Sequence, residues 1–457
     1  MSEHIQTINP ATGERIRTYP ITTPEGLNQG IEESAKAQGI WKTWSIEERS
    51  SVIIQLKQLL EQGKEEFAQL MAVEMGKPIT QGRSEIEKCQ WLIGYYAEKG
   101  EAFLADQIVE TEAEKSVVSY KPLGVVLSIM PWNYPFWQVL RFAIPALLAG
   151  NAVLLKHADN VTGCAMALTE LFRNISVPRG LFEMAILPND RVKEAITHPL
   201  VQAVTLTGST RAGRAVAGQA GASLKKTVLE LGGSDPSIVL GDADLYEAAQ
   251  SIALSRLLNN GQSCIAAKRV IVVDEVYNEF LELFKTEFQQ AVVGDPLKEQ
   301  TSIGPMARVD LRDELHRQVS ESVQQGATLV FGGKKPHGKG AFYPVTLLTD
   351  VKKNMPAYSE ELFGPVASVI KVRNEQEAIA VANDTDYGLG ASIYTANIER
   401  AQQLASENIE AGSVFINGFV KSDPRLPFGG IKHSGYGREL GIFGIREFVN
   451  IKTIVTK

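Results

Sequence analysis

Cys264 follows a small polar run, Asn259-Asn260-Gly261-Gln262-Ser263, and stands just before Arg269-Val270-Ile271-Val272-Val273, which reads as a buried strand. A thiol at such a loop-to-strand junction is held by rigid backbone and stays reachable, as a nucleophile must be. The alternative is a buried small hydrophobe, the commonest fate of a free cysteine. Glu230 lies between Leu229 and Leu231 and before Gly232 and Gly233. Burial there would raise its pKa toward the range of a working base, whereas a helix-end glutamate is usually only solvated. Asn133, in Pro131-Trp132-Asn133-Tyr134-Pro135, has the look of a turn asparagine. Arg141 lies in an apolar stretch, either as a paired structural charge or as an anchor for a carboxylate. Gly208-Ser209-Thr210 opens a helix directly after a strand, which suits a pyrophosphate, although the Lys-Ser/Thr of a phosphate loop is missing. Gly435-x-Gly437 has Leu440 where a third glycine would fall, and it carries no dinucleotide fingerprint.

The elements that must position these residues are α/β in pattern. Val125–Met130, Ala152–Lys156 and Ala203–Thr207 read as buried strands, each followed by a turn and a helix. Such alternation means βαβ units and a parallel sheet, with ligands at the carboxyl ends of the strands. A second α/β run starts after Gly233, with strands at Ser237–Leu240 and near Val270, Leu329, Val366, Ala391 and Val414. Before the first strand, Thr22 or Thr23 caps a helix that opens at Pro24. Val52, Ile53, Leu56, Leu59 and Leu60 mark one long amphipathic helix that Phe67, Leu70 and Met71 continue, and Cys89 sits beside an apolar Trp91 face. Residues 106–122 read as an exposed β arm, and the tail Ile451–Val455 is a lone strand that needs a sheet to join, a neighbour's being one candidate. The expected domains are a Rossmann-like parallel-sheet lobe from 1–105 and 123–230, an α/β lobe from 231–430, and an oligomerisation arm from 106–122 and 431–457.

Composition removes several classes of function. The chain of 457 residues is 44% hydrophobic and carries a formal charge of −7, with no basic cluster to bind nucleic acid. Its three cysteines, Cys89, Cys164 and Cys264, are too few for a disulfide framework and indicate a reducing compartment. The N-terminal residues have no signal-peptide pattern. The most apolar stretch, Gly124–Ala149, is broken by Pro131, Asn133, Pro135, Arg141 and Pro145, so no membrane span is expected. No Cys/His spacing suits zinc, and no metal is expected.

Taken in order, Pro131-Trp132-Asn133-Tyr134-Pro135, Thr207-Gly208-Ser209-Thr210, Leu229-Glu230-Leu231-Gly232-Gly233, Gly261-Gln262-Ser263-Cys264, Glu361-Leu362-Phe363-Gly364-Pro365 and Pro427-Phe428-Gly429-Gly430 resemble the motifs of the NAD(P)-dependent aldehyde dehydrogenases along essentially the whole chain. The resemblance implies that family's fold and roles. Cys264 matches the nucleophile, whose thiolate attacks the aldehyde carbonyl to give a thiohemiacetal and, after hydride transfer to the nicotinamide, a thioester. Glu230 matches the general base, and Asn133, with the Cys264 backbone N–H, matches the oxyanion donors. One such donor is typically worth about 3–4 kcal/mol. Met130, Pro131, Trp132, Gly208, Ser209, Leu231 and Gly232 match the cofactor groove. Lys156 and Glu361 match the positions that hold the two riboses, and Phe363 the residue beside the nicotinamide ribose. Asp159 matches the position facing the adenine ribose, where a carboxylate disfavours a 2′-phosphate, so NAD is expected over NADP. His157 stands where many relatives carry a proline or small residue, and its capacity to donate to a phosphate weakens that preference.

Arg141 follows Asn133 by about two helical turns. It matches the arginine that binds the substrate carboxylate in succinate-semialdehyde dehydrogenases. Leu154-Leu155-Lys156-His157-Ala158, Ala266-Ala267-Lys268-Arg269 and Arg438-Glu439-Leu440 resemble the short bacterial members of that group. Trp137, Gln262, Ser263, Lys421 and Ser422 complete the expected substrate pocket. Leu258 stands where some relatives have a second arginine, which leaves Arg256, Lys421 or Ser422 to replace it. Ala266 stands where some have a second redox cysteine, so no active-site disulfide switch is expected. The expected activity is oxidation of succinate semialdehyde with NAD(P) by a cytoplasmic homodimer or homotetramer. The alternatives are another small aldehyde or a non-catalytic binding protein. A CoA-acylating relative is disfavoured by Glu230, which promotes hydrolysis.

Overall fold

A computed structural model describes residues 3–457. Among them the two largest sheets have six and seven strands. The six-stranded sheet runs Gly435–Tyr436, Lys226–Glu230, Val201–Thr207, Val125–Met130, Ala152–His157, Phe182–Met184. All neighbours are parallel except the first pair. The chain begins this sheet in its middle, builds outward on one side, then returns to build the other. Strand order therefore reverses between Val125–Met130 and Val201–Thr207, and a crevice opens at their carboxyl ends, where open α/β sheets take ligands.

The seven-stranded sheet runs Thr328–Phe331, Thr346–Thr349, Val366–Val372, Arg269–Val273, Pro236–Val239, Gly390–Tyr394, Ser413–Ile416. Alternate residues of its strands enter separate cores, Ile238 and Ile271 on one face, Val239, Val270 and Val272 on the other. Burial on both faces is why these strands read as continuous apolar runs.

Several sequence expectations change. The long helix is three, Ile46–Ile53, Gln55–Gln62 and Lys64–Met75. The last junction is Gly63, where a Cβ would lie 2.4 Å from the Phe67 ring. In the helix Ile79–Leu104 the buried face is Ile86, Cys89, Leu92, Ile93 and Tyr96, whereas Trp91 is exposed under Arg425. Residues 431–457 do not all belong to the arm. Gly435–Tyr436 pairs antiparallel with Leu229–Glu230, closing one edge of the first sheet beside Glu230. Only Val449–Thr456 joins the arm, and it joins its own: it pairs antiparallel with Lys115–Pro122, which also pairs with Gln107–Val109. The tail thus needs no neighbour's sheet. No helix among the described residues is long and apolar enough to cross a membrane.

Candidate active site

The loop that carries Cys264 is built on left-handed backbone. Asn259, Asn260 and Gly261 have φ of 56°, 59° and 70°. Asparagine tolerates that region better than other residues with a Cβ, and glycine is required at Gly261, where a Cβ would come 2.4 Å from Gly364. The asparagines also bolt the loop down. Asn259 donates through Nδ2 to the carbonyls of Asn133 (2.7 Å) and Gln262 (3.1 Å). Asn260 donates to Gly76 (2.8 Å) and Pro305 (2.9 Å) and accepts from the Gly304 amide (2.7 Å). Lys268, buried, donates to the carbonyls of Ser263 (2.8 Å) and Cys264 (2.7 Å) and pairs with Glu361 (3.2 Å). Nothing in its spacing announced that role.

Cys264 is half-buried at the wall of a cavity of about 190 Å³. Desolvation pushes its thiol up to about 12, against the pull of Lys268 and Arg141. The resting sulfur is therefore protonated at neutral pH, and attack requires that proton to leave. Asn133 is buried and reaches the same loop, donating through Nδ2 to the Gln262 carbonyl at 3.1 Å. Its Oδ1 has no partner.

Glu230 ends the strand Lys226–Glu230 and is 2% exposed. Neither carboxylate oxygen has a hydrogen-bond partner. Burial, reinforced by Glu439 and opposed by Arg141 and Arg438, holds its pKa well above the usual carboxylate range. Its Oε1 lies against Gly429, set back from the cavity rather than in its wall. Of the three expected catalytic side chains, Cys264 alone lines that cavity, Asn133 is tied to its loop, and Glu230 stands behind it.

The cavity also takes in Trp137, Arg141, Ser263, Lys421 and Ser422, all expected there. Gln262 is a correction: its side chain is fully buried and accepts from the Ala307 amide at 3.0 Å, so it holds the loop and does not face substrate. Arg256 does not replace the missing arginine either. It is fully buried and donates to the carbonyls of Gly261, Leu362, Gly364 and Val366, clamping the segment that carries Glu361 and Phe363. Arg141 is ion-paired through Nε with the buried Glu439 and lies over the Phe428 ring, while its Nη2 has no partner. Both readings of that arginine are thus partly realised, a paired charge with a spare donor. Lys88 is a cavity residue that sequence reasoning missed. The available signal was Gln81, Ser84, Glu85 and Lys88, a polar helical stripe on a helix whose other face is core.

The expected cofactor residues cluster at the strand-order reversal. Ser209 caps the helix Thr210–Ala222 by accepting from Ala212, and the space beside Gly208 is open. Lys156 donates to Asp159 (3.1 Å) and Asn189 (3.3 Å). Trp132 and Phe363 meet edge to face at 5.7 Å. Glu361 accepts from the Gly233 amide at 3.1 Å, and a Cβ on Gly232 would lie 2.4 Å from its other oxygen. An open helix N-terminus, a basic and an acidic group at the end of one neighbouring strand, and a carboxylate across the crevice fit a dinucleotide. His157 is corrected. It is buried, accepts from the Ala158 amide at Nδ1 (2.9 Å) and donates from Nε2 to the Pro135 carbonyl (3.0 Å). Burial lowers its pKa to about 4, so it is neutral and turned inward, with nothing to offer a phosphate.

A family model described as the aldehyde dehydrogenase family matches residues 1–454. The chain belongs to that family. Among aldehyde dehydrogenases it is 48% identical, over 98% of its length and 99% of the relative's, to a Synechocystis protein named a probable succinate-semialdehyde dehydrogenase using NADP(+). It is 45% identical, over 99% of its length and 97% of the relative's, to Sad, the succinate semialdehyde dehydrogenase of Escherichia coli named for NAD(P)+. A crystal structure of the succinic semialdehyde dehydrogenase of Streptococcus pyogenes with NADP+ superposes with a TM-score of 0.96 at 38% identity, covering 98% of this chain and 99% of that one.

Proposed function

We propose that the protein oxidises succinate semialdehyde to succinate with NAD(P), by way of a thioester on Cys264. The observation that carries the reading is the cavity itself, with a nucleophilic thiol in its wall and Arg141 and Lys88 lining it. A short aldehyde bearing a remote carboxylate meets cations at one end and sulfur at the other. The names of the relatives support the same substrate. Bound NAD(P) supplies the hydride acceptor.

The chain's own residues do the rest. Asn133 Nδ2 and the Cys264 backbone N–H donate to the aldehyde oxygen as charge develops there. Glu230, its pKa raised by burial, takes a proton from the thiol or from water. Because its carboxylate is set back, it swings forward or works through one water.

For the cofactor, we propose that both dinucleotides serve. Asp159 repels a 2′-phosphate, but Lys156 neutralises it and its side chain is 43% exposed, free to turn outward. NADP named in the relatives supports dual use. Asp159→Asn should raise kcat/KM with NADP relative to NAD by about tenfold, since one charge repulsion of about 1.4 kcal/mol is removed. An unchanged ratio refutes the role of Asp159. Three unpaired cysteines support work in the reducing cytoplasm. The exposed Ile108 and Ile454 on the arm support self-association.

The deciding experiment is a kcat/KM panel of aldehydes followed by nicotinamide absorbance with each cofactor. Preference for succinate semialdehyde over hexanal is expected. Activity with hexanal alone overturns the substrate assignment.

A further inference from the structure

Most of the buried cations near the nucleophile are already engaged. Lys77 pairs with Glu85, Arg141 with Glu439 and Lys268 with Glu361, while Arg256 and Arg269 donate to backbone carbonyls. Lys88 differs. It sits partly buried in the cavity wall, donates to Ser422 Oγ at 2.7 Å and lies 4.2 Å from the centre of the Trp137 ring. No carboxylate among the described residues forms an ion pair with it. Its acidic neighbours are committed elsewhere: Glu85 to Lys77 and to the amides of Phe136 and Trp137, Asp423 to both arms of Arg425.

An ammonium with a hydroxyl on one side, an aromatic face on another and a cavity in front lacks only an anion. We propose that Lys88, with Ser422, is the specificity-determining cation that binds the remote carboxylate of the substrate, Arg141 adding a second positive charge in the same wall. The inference rests on the substrate reading above and deepens it.

The same enclosure makes the contact pH-dependent. Burial lowers the Lys88 amine to about 8, and the positive charge of Arg141 adds to that fall, while Cys89, Glu85 and Asp423 oppose it. Cys89 is neutral, since burial holds its thiol well up, and the Cys264 thiol across the cavity is protonated as well. Lys421, the remaining basic group in the wall, sits on the opposite segment beside Ser422. Lys88 is therefore charged below about pH 8 and loses its charge above it. Affinity for a carboxylated aldehyde should be full on the acid side and fall as pH rises through 8. A neutral aldehyde should show no such loss.

The test compares kcat/KM for succinate semialdehyde and hexanal, from mildly acid to alkaline pH, in the wild type, Lys88→Met and Lys88→Arg. Using the ratio of the two substrates cancels the titration of Cys264 and Glu230. In the wild type the ratio should fall above pH 8. In Lys88→Met it should be about 10- to 100-fold lower and flat with pH, the loss expected for one charge-assisted hydrogen bond. In Lys88→Arg, which does not titrate, it should stay high at alkaline pH. A wild type with no preference for succinate semialdehyde overturns the substrate reading and this inference together. A wild-type preference that persists in Lys88→Met overturns this inference alone. So does a ratio whose pH dependence survives in Lys88→Arg.

Discussion

At the scale of single residues, the groups proposed as nucleophile and base share one physical setting. The thiol of Cys264 and the carboxyl of Glu230 are both buried, and burial pushes both pKa values up. Burial thus favours the uncharged form of each, and the Cys264 thiol rests protonated. This has a consequence in the free enzyme. Alkylation of Cys264 by iodoacetamide should be slow at neutral pH and accelerate about tenfold per pH unit up to at least pH 9, because the reactive thiolate is the minor form throughout. Glu230 is not among the groups acting on the resting sulfur, so Glu230→Gln should leave that profile in place while lowering turnover by about 100-fold or more. A rate plateau near pH 7, or a Glu230→Gln enzyme with full turnover, would contradict this picture.

At the scale of elements, what the sequence disclosed depended on distance along the chain. The parallel strands, the turns at their carboxyl ends and the junction holding Cys264 all come from local patterns, and each is where its pattern predicts it. Lys88 and the Arg141–Glu439 pair were hidden because their meaning lies in partners contributed by other elements. Gln262 and Arg256 misled for the same reason: polar residues near a nucleophile suggest substrate contact, but backbone groups from another segment had already claimed them. His157 shows the principle at its simplest, since one buried carbonyl opposite Nε2 decides what the ring can do. Asn260 belongs to this class. Its amide answers two carbonyls and one N–H around the Cys264 loop. Asn260→Ala leaves all three buried and unpaired and loses the tolerance for φ of 59°. The expected cost is about 2–4 kcal/mol. Urea unfolding should show a lower midpoint with an unchanged slope, and an unshifted midpoint would mean that the loop is held by its other contacts.

At the scale of the whole molecule, the three-stranded arm is the part whose chemistry the single chain does not use. Its register aligns Ile108, Val117 and Ile454 in one row across the strands. Ile108 is 77% exposed and Ile454 45% exposed, and the two outer strands pair with nothing on their far sides among the described residues. Open edges and apolar faces of this kind are normally covered, by a partner or by charges that keep partners away. Here lysines such as Lys115 and Lys452 are interspersed, but Ile108 and Ile454, flanking the buried Val117, are left uncovered. A second copy of the chain is the occupant that supplies matching edges by symmetry. Because the sheet is closed within one chain, association would add to a finished arm rather than complete an unfinished one. A single charge in the row should then separate copies without unfolding them. Ile454→Lys is expected to reduce the mass measured by light scattering, to become more monomeric on dilution, and to keep the thermal midpoint of the lobes within a few degrees. If the wild type is already monomeric, or Ile454→Lys keeps the full assembly mass, copies meet through some other face.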